Sequence, residues 1–174
     1  MKSNKIILRL SFIYMVITSF ISTYYYFFIL MAVQNFGFLH WALLFISGVL
    51  VISTLVINLL ILVKEEFESK NLILFNVVIC GLQSVLFLFN HFQLRYNQGF
   101  EWIVYVNFNS DTNAYSTGMN YPFVNFNVDV NWWHLSNYLV GINLIALSLM
   151  FIFLDRWKTL KAIDGATHQD FVSS

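Results

Sequence analysis

Asp, Glu, Lys and Arg are absent from four long stretches of this chain, residues 10–33, 38–63, 72–92 and 133–154. Each is about as long as the roughly 20 apolar residues that cross a bilayer. Nothing else in the sequence constrains the fold as strongly. A backbone buried in hydrocarbon must pair its own polar groups, so each stretch is expected to be a helix. Composition agrees: 59% of residues are hydrophobic and 10% charged, too little charge to coat a soluble domain of 174 residues. The expected class is an all-α integral membrane protein: four transmembrane helices in an up-down bundle, forming one domain over residues 1–174. The charged start, Met1-Lys2-Ser3-Asn4-Lys5, is that of a signal peptide, but the apolar run of residues 10–33 is too long for an h-region and is read as a retained first span.

The basic residues orient the bundle. Lys2, Lys5 and Arg9 precede the first stretch, Lys64 and Lys70 lie between the second and third, and Arg156, Lys158 and Lys161 follow the fourth. Of the nine basic residues only Arg95 falls on the other side. By the positive-inside rule both termini face the cytoplasm, or its organellar equivalent. The expected location is a bacterial plasma membrane or an organellar inner membrane, with residues 155–174 as a cytoplasmic tail. Residues 155–162 should extend the last helix and the rest should fray.

Residues 93–132 form the expected outward-facing cap. Residues 100–109 are rich in β-branched and aromatic side chains. Residues 121–131 alternate, with Val124, Phe126, Val128 and Val130 on one face and Asn125, Asn127, Asp129 and Asn131 on the other. Both patterns read as strands, and the Ser, Thr, Asn and Gly of residues 110–120 read as the loop between them. A small β-hairpin is therefore expected between the third and fourth helices.

Little in the spans carries chemistry. Asn58, Asn76, Gln83 and Asn143 are expected to pair across helix contacts, and Ser19, Thr23, Ser47, Gly48, Cys80 and Ser84 to let helices approach closely. Tyr24–Phe28 reads as an aromatic belt or lipid-facing surface. The lone cysteine, Cys80, excludes an internal disulfide and a CxxC redox pair. His40, His91 and His134 fall at one expected depth, the outward boundary, near Glu101, Asp111 and Asp129. Three imidazoles from separate helices could hold haem or a transition metal, although no local H-x3-H pair accompanies them.

Asn35-Phe36-Gly37 and Arg95-x3-Gly99-Phe100 resemble fragments of the lipoprotein signal peptidase (signal peptidase II) pattern. That resemblance implies four spans and two aspartates sharing a proton to activate water. Leu94 and Leu135 occupy the positions where those aspartates belong, so the peptidase activity is not carried over. No G-x-S-x-G elbow, phosphate loop or H-E-x-x-H motif is present. Span centres without ionisable groups argue against ion-coupled transport.

The function expected from these observations is that of a non-catalytic accessory subunit or binding partner in a larger membrane complex. Its partners would be the lipid bilayer and other membrane subunits, not nucleic acid. A protective (immunity) protein against a membrane-active toxin belongs to the same class. The alternative is an outward-facing redox protein using His40, His91 and His134, and a pore formed by oligomerisation is a third reading.

Overall fold

The computed structural model describes residues 2–32, 38–64, 68–89, 92–129 and 137–172. In chain order they form α1 (Lys2–Ala32), α2 (Phe38–Val63), α3 (Lys70–Ser84), β1 (Val85–Phe89), β2 (Phe92–Asn109), β3 (Ala114–Asp129), β4 (Asn137–Asn143) and α4 (Leu144–Val172).

Four transmembrane helices in an up-down bundle are not what forms. Four helices are present, but a four-stranded antiparallel sheet takes residues from the third and fourth expected spans. The third stretch begins as α3 and changes to strand at Val85. Val85-Leu86-Phe87-Leu88-Phe89 is a short, wholly apolar run, which periodicity cannot assign to a buried helix rather than a buried strand. Pairing decides it: β1 lies antiparallel to β4, with Val85 opposite Ile142 and Leu88 opposite Leu139. The fourth stretch likewise enters as β4 and becomes helical only at Leu144. With 15 residues, α3 is about 22 Å long at ~1.5 Å per residue, short of a hydrocarbon core of ~30 Å. Among the described residues two helices are long and apolar enough to cross a membrane, over Lys5–Phe28 and Leu44–Val63. At its far end α4 continues to Val172 instead of fraying after residue 162.

The stretches expected as strands, residues 100–109 and 121–131, fall largely within β2 and β3, which pair with each other, but in a different register: residues 103–109 pair with 114–120, and 95–101 pair with 123–129. They belong to the larger sheet and are not a separate cap. The loop is also shorter than expected, residues 110–113. Asn109 builds it: its Oδ1 accepts from the backbone N–H of Asp111 (2.9 Å) and Thr112 (3.1 Å), an Asx turn. Asn113 then takes a left-handed conformation, φ 51°, which asparagine tolerates.

The sheet runs β1-β4-β2-β3, with β1 also paired to β2. All three pairings among β1, β4 and β2 are antiparallel. Three straight strands cannot satisfy that condition. β2 satisfies it by turning: its start, Phe92 to Leu94, pairs with β1, and its later part, Ile103 to Asn109, pairs with β4. A register shift marks the bend, since Glu101 faces Phe123 but Ile103 faces Asn120. Trp102 therefore opposes both Tyr121 and Pro122, a β-bulge. Pro122, the sole proline, sits on the edge strand β3, where its missing N–H disrupts least.

The helices pack antiparallel. α1 lies chiefly on α2 and α3 chiefly on α4. Phe12, Met15, Ile61, Ile73, Ile79, Cys80, Leu149 and Phe153 form the buried core, with the Phe12 and Phe153 rings 5.3 Å apart. Ser69 caps α3, its Oγ accepting from Leu72 N at 3.4 Å. Arg156 on α4 grips Glu68 in the α2–α3 connection through one guanidinium edge, Nε and Nη2 donating to the two carboxylate oxygens. Lys5, Arg9, Lys64, Glu68, Lys70, Asp155 and Arg156 consequently gather at one end of the helices, and β1 and β4 leave α3 and α4 at the other.

Candidate functional site

The sheet presents an apolar face to the outside. On β2, Trp102, Val104 and Val106 are 42%, 39% and 51% exposed, whereas Ile103 between them is 3% exposed. Register carries this face across the neighbouring strands. Val104 lies opposite Met119 on β3 and Ile142 on β4, and Val106 lies opposite Thr117 and Val140. Met119, Val140 and Ile142 are each about half exposed. Toward the turn the face ends in aromatic rings: Phe108 lies 4.7 Å from Tyr115 and 6.0 Å from Tyr138, centroid to centroid.

The opposite face is closed. Gly141 on β4 is buried, and a Cβ there would meet Ile103 Cγ2 at 2.9 Å. Gly118 on β3 lies under the Tyr105 ring. An antiparallel sheet with one face packed normally turns polar residues outward. Here the outward face is apolar, and the buried Glu101 lies on the packed side. A contiguous exposed apolar surface of this kind marks a place where another surface docks.

Asn143 fixes that face to the helices. Its Oδ1 accepts from Ile145 N (3.2 Å) and Ala146 N (3.4 Å), capping α4, and from Trp102 N (3.3 Å) at the bulge. Glu101, beside the bulge, is buried.

The histidine cluster expected to bind metal or haem is only partly placed. His40 belongs to the first turn of α2, whereas His91 and His134 lie outside the described residues. Asp111 is exposed in the hairpin turn, Glu101 is buried on β2 and Asp129 ends β3. Among the described residues no group of three or more His, Cys, Asp or Glu gathers where it could hold a metal ion. Cys80 is a buried free thiol.

Of the amides expected to link helices, Asn58 and Asn76 pair reciprocally, at 2.9 and 3.0 Å. Asn143 instead serves as the cap just described. Gln83 is buried, with its Nε2 lacking a hydrogen-bond partner among the described residues. The exposed sheet face was hidden from sequence reasoning because residues 102–106 are apolar at every position, so alternation does not say which side faces out. No protein family matches the chain, and no curated protein or solved structure is detectably similar to it.

Proposed function

We propose that this chain is a non-catalytic membrane protein, anchored by α1 and α2, whose sheet face docks a second membrane protein as part of a larger complex. The contiguous face of Trp102, Val104, Val106, Met119, Val140 and Ile142 carries this reading. Such a surface resembles the depleted-charge, aromatic-rich centre of a protein interface. In this reading the partner is the target of a protective protein or a constitutive neighbour.

The distribution of polarity supports the anchor. Along the two long apolar helices, Ile17, Phe20, Tyr24, Phe45, Ile52 and Val56 point outward, while Ser11, Thr18, Ser19, Ser22, Ser47, Thr54 and Asn58 are buried. Only 33% of either span is buried, unlike the core helix of a soluble protein. Several inward hydroxyls donate to their own helix, as Thr18 does to Tyr14 O (2.9 Å) and Thr54 to Leu50 O (2.7 Å). They need no water. In this reading α1 and α2 cross as an antiparallel pair, with the Lys5–Arg9 and Lys64–Lys70 ends on the cytoplasmic side.

The test is site-specific photo-crosslinking in native membranes, with the probe at Val106 and, for comparison, at Phe20. A protein adduct of one defined mass from Val106, abolished by Val104→Glu with α-helical content unchanged, supports the reading. A monodisperse monomer in mild detergent with no adduct, or lipid adducts alone from both positions, rejects it.

A further inference from the structure

A cleft of about 740 Å³ opens between α1, α2 and α4 at the charged end of the helices. Its floor and walls are apolar, with Phe12 and Ile61 buried and Ile6 and Phe151 exposed at its flank. Its rim carries Lys5, Arg9, Glu68, Asp155 and Arg156. Arg156 and Glu68 engage each other. Lys5 and Arg9, one turn apart on the same side of α1, are exposed and have no carboxylate partner among the described residues.

We propose that this cleft holds one anionic phospholipid of the surrounding leaflet, its phosphate between Lys5 and Arg9 and its acyl chains along Phe12, Ile61 and Phe151. The proposal rests on the membrane placement of α1 and α2 but not on the sheet face. Three observations favour this occupant over a soluble anion or a peptide. The cleft is apolar below and charged above, with three basic and two acidic side chains on the rim, the polarity order of a lipid entering from the bilayer. It sits where both apolar spans end, Lys5 and Val63, which is headgroup depth for helices that cross. The exposed stripe of Ile6, Leu10, Ile13 and Ile17 continues its wall along α1, so chains longer than the cleft leave it over apolar surface. Basic clusters at that depth attract anionic headgroups.

The experiment uses the full chain reconstituted into vesicles of equimolar phosphatidylglycerol and phosphatidylcholine. Flotation is read first: a chain that does not float overturns the membrane placement, and the lipid site with it. For a floating chain, native mass spectrometry after mild release counts the retained lipids. One phosphatidylglycerol per chain is expected, held with a preference over phosphatidylcholine of roughly thirtyfold for two basic contacts. Lys5→Gln with Arg9→Gln should bring that preference to parity while circular dichroism shows the same helix content. Lys158→Gln with Lys161→Gln, exposed basic residues outside the cleft, should leave it unchanged. Parity in the wild-type chain, an equal loss from the Lys158/Lys161 variant, or displacement of the lipid by millimolar inorganic phosphate overturns the proposal.

Discussion

Asn58 on α2 and Asn76 on α3 form a reciprocal amide pair, each Nδ2 donating to the other's Oδ1 at 2.9 and 3.0 Å. Both side chains are fully buried. The second Nδ2 proton of Asn58 reaches Thr54 O at 2.7 Å, so that amide exhausts its donors within the protein. α2 and α3 otherwise touch little. The pair thus fixes the height of α3 against α2 through directional bonds in a contact with little apolar packing of its own.

Asn58→Leu leaves the Asn76 amide buried without its partner, a loss of about 1–3 kcal/mol. The double variant Asn58→Leu with Asn76→Leu removes both amides and should recover part of that loss. Thermal unfolding in detergent of the two single variants and the double gives the coupling directly. Additive losses would show that the two amides act independently.

Tyr26 on α1 packs directly over Gly48 on α2: the phenol ring occupies the space where a Cβ on Gly48 would stand. Gly48→Ala should displace the buried ring and destabilise by about 1–3 kcal/mol, as overpacking does. Tyr26→Ala should suppress the penalty of the glycine change, because the space it competes for is then empty. Unfolding midpoints of the four proteins in that cycle read the effect.

How much of this was readable from residues alone depends on whether a segment had one interpretation. The first two apolar stretches lie in α1 and α2, long enough to satisfy their own backbone as helix. The amides Asn58 and Asn76 were recognisable as an interhelical contact because a polar group among apolar neighbours requires a partner. Val85–Phe89 and Asn137–Asn143 were misread as helix because their conformation is decided by each other, across about fifty residues of sequence, and short apolar runs carry no period of their own. The hairpin strands announced themselves by alternation at residues 121–131. Its loop did not, since Tyr115, Thr117 and Met119 continue the strand against β2 through a composition that reads as turn. The histidine site stayed a matter of assumed depth, and that depth depended on the two spans that became partly strand.

Arg156 and Glu68 hold α4 to the α2–α3 connection, with side chains 29% and 15% exposed. Partial exposure screens this pair, so Arg156→Ala should cost about 1 kcal/mol or less and more at low salt than at high salt. Swapping the charges, Arg156→Glu with Glu68→Arg, should recover most of the loss. Equal unfolding midpoints for wild type and Arg156→Ala at low ionic strength would show the contact to be energetically silent.

Asn143 couples two elements that would otherwise end independently. One oxygen caps α4 and also takes the Trp102 N–H at the bulge in β2. Asn143→Ala removes both, at about 1–2 kcal/mol for the cap alone, and frees the bulge from the helix start. Amide hydrogen exchange should therefore rise together at Trp102, Ile145 and Ala146, with Leu59 in α2 unchanged. Because Trp102 lies on the exposed apolar face, the same variant should weaken the crosslink from Val106 without altering that face's composition. Faster exchange at Ile145 and Ala146 with Trp102 still protected would mean that the sheet holds its bulge without the helix cap.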